Sequence, residues 1–462
     1  MASGHHKAAH EAFKRCGGQG SDPCQAAPVE RIDIRGPSAV FTFSYHGRMT
    51  AFRFTPLLLV LVLLTACQTP ARSPEPPATS LLLISLDGVH PDFLGRGDTP
   101  HLDRLATDGV RAAWMRPSYP SLTFPNHYTI VTGLRPDRHG IIHNTMHDEE
   151  LGGFALKNRD AVGDGRWWEG EPLWVTAEKA GLPTATLSWP GSEAEVHGVR
   201  PQRWYPYDES RPIAERIATV AGWLAEPQAT RPRLATLYFE HPDSAAHAHG
   251  PRSPELRAAL REVDAAVGEL LAQLDRSGAR AHTDIVVVSD HGMAEVPEGQ
   301  VVVVEDMADP QDAALVSAGQ VVGFRPLPGR EAAAERRLLG RHDRYQCWRR
   351  DELPAHWHYG RHPRVPPIVC QMDVGWDAVP GAWLPRRAPG TRGSHGYDPA
   401  APEMRAVFIA NGPSFRDGVE LAAFDNVDVH PLLAHLLGLA PAAGDGSIDA
   451  LLPALRGQPH AH

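Results

Sequence analysis

Six side chains of the kinds that hold divalent cations stand where the sequence turns from an apolar run to a polar turn: Asp87, Asp243, His247, Asp290, His291 and His395. Three carboxylates and three imidazoles suffice for two zinc ions with oxygen and nitrogen ligation and open coordination positions. No cysteine sits among them, which argues against a structural thiolate site. Asp243 and His247 are four residues apart and share one face of a helical turn. A hydroxyl, Thr123, lies in the stretch SYPSLTFPNHYTIVTG (118–133) two residues before Pro125. Proline is favoured at the first helical position, so Thr123 is expected at or just before a helix N-terminus, where unpaired N–H groups and the helix dipole suit a phosphate. Two cations roughly 4 Å apart stabilise both the attacking and the leaving oxygen of an in-line phosphoryl displacement. A threonine bridging to one of them becomes its nucleophile. Taken singly, each residue also fits a plainer role as turn former, chance pair or helix cap. The chemistry rests on their conjunction.

The elements that must position these groups are legible in the pattern. Ser80–Leu86 (SLLLISL), Leu234–Phe239 (LATLYF) and residues 285–289 (IVVVS) are continuous apolar runs, as expected of strands buried on both faces. Each runs directly into candidate ligands, and in α/β sheets the site lies beyond the carboxyl ends of the strands. Residues 99–109, 172–181 and 253–277 have helical spacing, with Leu256, Leu260, Val263, Val267, Leu270, Leu271 and Leu274 forming one apolar face of the last. Residues 182–188 and 407–410 read as further strands and 427–439 as a closing helix. The expectation is an α/β fold with a mostly parallel central sheet sandwiched by helices. Residues 80–300 and 390–455 form its catalytic domain, and the proline-, arginine- and histidine-rich segment 301–389 an inserted smaller subdomain. His342, His356, His358 and His362 in that segment are expected at surface loop positions.

The front end reads as targeting rather than fold. Arg53, the apolar run 57–64 and Leu64-Thr65-Ala66-Cys67 make a basic flank, a short apolar core and a small-residue cleavage site. Residues 49–66 are therefore expected to be a lipoprotein signal peptide starting at Met49, with Cys67 the lipid-anchored residue in a membrane and residues 1–48 a non-native upstream extension. Residues 67–79, rich in Pro, Ser and Thr, read as a linker. The expected location is exported, periplasmic or anchored to the outer membrane. Cys347 and Cys370 then remain as two thiols that pair in an oxidising compartment, or stay separate in the core. The formal net charge of −10, with no long basic run, argues against a nucleic-acid polymer as partner.

The ordered set of strand-Asp87, Pro120-Ser-Leu-Thr123-Phe-Pro-Asn-His-Tyr-Thr-Ile-Val-Thr-Gly133, Gly140-Ile-Ile-His-Asn144, Trp167-Trp168-Glu-Gly-Glu-Pro172, Trp189-Pro-Gly-Ser192, Pro242-Asp243-x-x-x-His247, Ser289-Asp-His-Gly292 and Gly393-Ser-His-Gly-Tyr-Asp398 resembles the nucleotide pyrophosphatases/phosphodiesterases of the alkaline phosphatase superfamily. The resemblance implies one zinc held by Asp243, His247 and His395, and a second held by Asp87, Asp290, His291 and the nucleophile Thr123. It implies that Asn144 and the Thr123 backbone N–H bind a non-bridging phosphate oxygen, and that Phe124, Tyr207 and Tyr238 pack against a nucleoside base. The implied activity is hydrolysis of phosphodiester or pyrophosphate bonds of nucleotides and related diesters, releasing nucleoside monophosphate through a covalent threonine intermediate. A phosphomonoesterase or a choline-type lipid head-group phosphodiesterase is the alternative on the same scaffold. A binding protein with a relic site is a third reading, against which stands the presence of every ligand. The resemblance departs at Ala246, where the family usually has glycine.

Overall fold

In the computed structural model, residues 79–457 are described; the segments expected as signal peptide and upstream extension, Cys67 as the expected anchor residue and most of the expected linker lie outside the described residues. Eight strands build the central sheet: β1 (Ser80–Leu86), β2 (Val110–Ala112), β3 (Thr184–Leu187), β4 (Arg203–Tyr205), β5 (Leu234–Phe239), β6 (Thr283–Val288), β7 (Phe408–Asn411) and β8 (Val419–Leu421). Their spatial order is β8-β2-β7-β6-β1-β5-β3-β4. Five of the seven pairings are parallel; only β7 runs antiparallel, against both β6 and β2. The mostly parallel sheet is as the apolar runs predict. The short strands β2, β4 and β8 are additions that three-residue segments give no pattern to announce.

Alternation along the strands explains why the runs are apolar throughout. Leu81 and Leu83 of β1 enter one core, together with Val286 and Val288 of β6 and Phe408 and Ala410 of β7. Leu82, Ile84 and Leu86 enter the other, with Ile285, Val287, Leu237 and Phe239. Successive side chains of a strand point to opposite faces, so a strand covered on both sides is apolar nearly throughout rather than at alternate positions. Each fully buried leucine contributes roughly 1.5–3 kcal/mol relative to exposure.

One face is covered by α1 (Pro100–Thr107), α3 (Ile213–Leu224) and α5 (Pro254–Ser277), whose Leu102, Leu105, Ile217, Val220, Leu260, Val267 and Leu274 fill the second core. The Ser253 hydroxyl caps α5 by accepting from the Leu256 N–H at 3.1 Å, and Gly278 ends it in the left-handed region. The opposite face is covered by α2 (Thr123–Thr132) and α6 (Val429–Leu436). The remaining helix that matters to the site, α4 (His241–His249), follows β5 directly. Among the described residues no helix is long and apolar enough to cross a membrane.

Between β6 and β7 the chain builds a second, five-stranded antiparallel sheet in the order 313–317, 321–326, 368–372, 345–349, 340–341, around its own core of Val322, Phe324, Ile368 and Met372. Cys347 and Cys370 lie directly opposite on neighbouring strands of it and form a disulfide, so the separate-thiol alternative falls. A cross-link of this loop length contributes about 3 kcal/mol in the chain-entropy model. The expectation of surface positions for the four histidines of this segment holds for His356 and His358; His342 is half-buried with Nε2 donating to the Leu338 carbonyl at 2.7 Å, and His362 is buried. His362 Nε2 lies 3.1 Å from Glu169, while Asp137 accepts from the backbone N–H groups of Gly360, Arg361 and His362. That segment is thus pinned to the turn just before Asn144.

Two other buried histidines make stability depend on pH. His139 accepts the Ile141 N–H at Nδ1, so its proton sits on Nε2 and is donated toward the Pro125 carbonyl and Thr129 Oγ1; burial holds its pKa down from 6.5 to about 3. Burial likewise holds His143 down to about 4. Between these values and 6.5 the unfolded chain binds protons that the folded chain rejects, so stability is full above pH 6.5 and falls as pH drops below it. Each histidine steepens the decline by up to about 1.4 kcal/mol per pH unit. Urea unfolding at pH 7, 6 and 5 should show the decline, and His139→Gln should remove one proton's worth of slope; an unchanged slope in that variant rejects the assignment.

Candidate active site

The carboxyl ends of β1, β5 and β6 deliver three aspartates to one place. β1 runs into Asp87, β6 into Ser289-Asp290-His291, and β5 through Glu240 into the first turn of α4, which carries Asp243 and, one turn on, His247. Parallel register aligns these ends: Ser85 pairs with Tyr238 on one side and Val288 on the other. His395 comes from the turn after residues 392–394, which pair antiparallel with 294–296. Close backbone approach is required at two glycines. A Cβ on Gly88, at φ +70°, would sit 3.2 Å from Asp243 Oδ1, and one on Gly393 would sit 2.5 Å from the Ala246 carbonyl. The Ala246 methyl that departs from the family pattern is itself fully buried inside α4, so the backbone there accepts it.

The six ligand candidates form two groups of three, Asp87 with Asp290 and His291, and Asp243 with His247 and His395, in each of which the ligand atoms lie within 4.8 Å of one another. The groups touch, since the His291 and His395 rings stack with centroids 3.5 Å apart. This is the partition the sequence resemblance implies.

Hydrogen bonding tests whether the groups fit cations. Each imidazole presents Nδ1 to a backbone carbonyl at 2.9 Å: His247 to Gly393, His291 to Gly292 and His395 to Ser121. A carbonyl only accepts, so the proton sits on Nδ1 and the Nε2 lone pair faces the site, the arrangement of metal-ligating histidines. One oxygen of each carboxylate, Asp87 Oδ1, Asp243 Oδ1 and Asp290 Oδ2, is buried without a hydrogen-bond partner. These same oxygens face the lone pairs: Asp290 Oδ2 is 2.9 Å and Asp87 Oδ1 3.5 Å from His291 Nε2, and Asp243 Oδ1 is 3.4 Å from His247 Nε2 and 3.6 Å from His395 Nε2. Acceptors facing acceptors in a dry site call for a shared positive charge. The residues fit two divalent cations with oxygen and nitrogen ligation.

The ionisation pattern is that of a site short of positive charge: despite its burial, the His291 pKa is raised by the Asp290 carboxylate 2.9 Å away. Burial, then Asp290 and Asp243 nearby, push the Asp87 carboxyl well above the usual range. Burial also raises Asp243. For Asp290 the burial penalty is outweighed by the His291 and His127 imidazoles, which hold it low. Burial and the neighbouring His291 and His247 hold His395 well below an ordinary histidine, so it stays neutral and available as a ligand.

Thr123 is the first residue of α2, with Leu122 as N-cap. Pro125 is therefore the third helical residue rather than the first, which costs nothing because first-turn N–H groups have no intrahelical acceptor anyway. Thr123 Oγ1 lies 3.3 Å from His291 Nε2, beside the first group. Asn144 accepts the Phe124 N–H at Oδ1, 3.0 Å, which sets its amide at the N-terminus of α2, where Thr123 is the first helical residue. Phe124 is half-buried, its ring packed against Phe154 and Trp168 at 6.0 and 5.8 Å. Tyr207 is 37% exposed and meets Tyr238 edge-on at 6.1 Å. Tyr238 is buried, and its hydroxyl donates to Asp87 Oδ2 at 2.5 Å; its proximity to the cation ligands comes as an addition to the base-packing role implied for it.

Three supporting residues escaped the sequence reading. His127, fully buried, contacts the Thr123 carbonyl through Nδ1 at 2.8 Å and Ser85 Oγ through Nε2 at 2.7 Å. Its spacing of four from Thr123 on one helix face was the available signal. Ser289 Oγ accepts the Val89 N–H and donates to the His291 carbonyl. The Ser121 hydroxyl donates to the Tyr397 carbonyl while its own carbonyl holds His395. No spacing rule announces either serine.

Comparison with known proteins places this arrangement. Residues 81–398 match the family model described as type I phosphodiesterase / nucleotide pyrophosphatase. An uncharacterized pyrophosphatase/phosphodiesterase of Schizosaccharomyces pombe is 36% identical over 391 residues, covering 82% of this chain and 81% of that protein. Ectonucleotide pyrophosphatase/phosphodiesterase family member 1 of Mus musculus is 35% identical over 396 residues, covering 83% of this chain; the chain spans only 43% of that relative's length. Among solved structures, an inactive threonine-to-alanine variant of murine ectonucleotide pyrophosphatase/phosphodiesterase 5 in complex with AMP superposes with a TM-score of 0.77 at 32% identity, covering 82% of this chain and 100% of that one. With the family model, the relatives and the sheet all in agreement, the chain belongs to the type I phosphodiesterase/nucleotide pyrophosphatase family of enzymes, on its alkaline phosphatase-like fold.

Proposed function

We propose that this protein hydrolyses phosphodiester or pyrophosphate bonds of nucleotides and related diesters, releasing nucleoside monophosphate, with Thr123 as covalent nucleophile and two zinc ions as cofactor. The observation that carries the reading is the pair of three-ligand groups, each with orphaned carboxylate oxygens facing imidazole lone pairs, beside a hydroxyl at a helix N-terminus. Asp243, His247 and His395 would hold one cation and Asp87, Asp290 and His291 the other, with Thr123 Oγ1 next to the second. When bound, the cations supply Lewis acidity at the attacking and leaving oxygens and neutralise the three carboxylates.

The chain's own residues do the rest. Thr123 Oγ1 attacks phosphorus, the P–O bond to the leaving group breaks, and phosphothreonine forms with the nucleoside still esterified. Water then attacks the same phosphorus from the vacated side and Thr123 Oγ1 leaves, restoring the hydroxyl and releasing the monoester. The Asn144 Nδ2 donors and the Thr123 N–H would take the charge that builds on the non-bridging oxygen. His127 holds the first turn of α2 against β1, which fixes where Oγ1 points. Phe124 and Tyr207 offer aromatic surface for a planar base, an arrangement better suited to a nucleoside than to a quaternary ammonium lacking a cage. The AMP bound by the murine relative supports the same substrate class. An exported location is supported by the Cys347–Cys370 disulfide; a mature protein still carrying residues 49–66 would count against it.

The zinc-replete enzyme should turn over the p-nitrophenyl ester of a nucleoside 5′-monophosphate on the order of 100-fold more efficiently than p-nitrophenyl phosphate or p-nitrophenylphosphocholine. Preference for p-nitrophenyl phosphate would establish the monoesterase alternative, and preference for the choline ester the lipid head-group one.

A further inference from the structure

A buried ion pair behind the exposed aromatic wall has no place in the chemistry described so far. Arg216 of α3 is 1% exposed, and all five of its N–H donors are used. Its Nη1 and Nη2 grip Glu240 as a fork, at 2.7 and 2.9 Å. The other three bonds go to backbone carbonyls: Nε to Arg211 at 3.1 Å, Nη2 to Asp208 at 3.5 Å and Nη1 to Tyr238 at 3.3 Å. Asp208 and Arg211 belong to the loop after β4 that carries Tyr207. Tyr238 and Glu240 belong to the end of β5, which leads into the first turn of α4 and Asp243.

One guanidinium therefore ties the loop bearing Tyr207 to the strand end bearing Tyr238. Loops off an edge strand are ordinarily the mobile part of a sheet. β4 is the edge strand here, and Tyr207 leaves it with its ring 37% exposed and edge-on to Tyr238. A wall that must receive a flat ring serves only if it is held, because each loop conformation away from the receptive one reduces apparent affinity. We infer that Arg216, clamped by Glu240, is a positioning residue that fixes the Tyr207 loop and so sets the enzyme's preference for nucleoside-bearing diesters over diesters without a base. The inference rests on the proposed reading of Phe124 and Tyr207 as the base pocket.

Lysine at 216 keeps the charge but has three donors and no planar fork, so it cannot hold Glu240 and three carbonyls at once. Removing one partner alone strands a buried charge, whereas an apolar pair of similar size tolerates burial. The informative variants are thus Arg216→Lys and the double change Arg216→Met/Glu240→Leu, with Tyr207→Ala alongside. KM and kcat are measured for the p-nitrophenyl ester of a nucleoside 5′-monophosphate and for bis(p-nitrophenyl) phosphate, which has no base. The expected result is a KM about 10-fold higher for the nucleotide ester in all three proteins and, in the two Arg216 proteins, kcat within about 2-fold and the base-free diester unchanged. If Tyr207→Ala raises KM and the Arg216 variants do not, the clamp is overturned while the base pocket stands. If both substrates suffer equally in the Arg216 variants, the pair is merely structural and the inference fails. If Tyr207→Ala itself leaves the nucleotide ester untouched, the pocket reading falls and the clamp with it.

Discussion

Thr123→Ala is expected to lower turnover of a nucleotide diester by roughly 10⁴-fold or more while the protein still takes up two divalent cations. The two halves of that result come from different parts of the geometry. Oγ1 lies at the α2 N-terminus beside the Asp87 group, 3.3 Å from His291 Nε2. Deleting it removes the covalent route and leaves Asp87, Asp290 and His291 in place to bind a cation. Little stability should be lost, because Thr123 caps nothing: Leu122 holds the N-cap position and makes no side-chain capping bond. Steady-state rates with a p-nitrophenyl nucleotide ester, together with metal analysis of the same preparation, check both halves. Near-normal turnover would remove Thr123 from the mechanism. Full loss of cations would make it a ligand first and a nucleophile second.

Asp87→Asn should change the sign of its effect on stability when the cations are removed. In metal-stripped protein the Asp87 carboxylate is buried beside Asp290 and Asp243, which raises its pKa. A carboxyl whose folded pKa lies above its unfolded value stabilises most at low pH, and stability is lost as pH rises from the usual carboxylate range through the raised pKa. At neutral pH its charge therefore opposes folding. Asparagine removes the charge at nearly the same volume and keeps an oxygen for the Tyr238 hydroxyl. With EDTA present, the variant should melt at or above the temperature of the parent protein. With saturating zinc the parent gains the free energy of cation binding, about 4 kcal/mol at a thousandfold excess over Kd. The variant gains far less, so the order of melting reverses. Thermal unfolding of both proteins with EDTA and with zinc tests this directly. A variant equally destabilised in both conditions would show that Asp87 serves the turn at Gly88 rather than a cation.

How much of this was legible beforehand depended on whether the physics is local. β1, β5 and β6 are apolar at most positions because each is buried on both faces, and that requirement is written residue by residue. The long α5 declares itself through its apolar face and the Ser253 cap for the same reason. The strands β2, β4 and β8 left no trace, since three residues carry no period and their place depends on neighbours far along the chain. His362 was misassigned because a histidine among arginines and prolines looks exposed; a carboxylate at Glu169, nearly two hundred residues away, is what draws it inside.

The sequence by itself determined the inventory: which residues are candidates to ligate, which hydroxyl is the candidate nucleophile, and that strand ends bring them to one edge of a mostly parallel sheet. Those follow from side-chain chemistry and from patterns a few residues long. Only the tertiary structure decided what each group faces. The pairing of Nδ1 protons with the carbonyls of Gly393, Gly292 and Ser121 leaves three lone pairs turned toward three orphaned carboxylate oxygens. The five-bond grip of Arg216 on β5 and the Tyr207 loop is of the same kind. Both join segments distant in the chain through backbone atoms that every residue possesses, so residue identity cannot announce them. Folding does, because a buried donor or acceptor left without a partner costs about 1–3 kcal/mol and the chain settles where those costs are met.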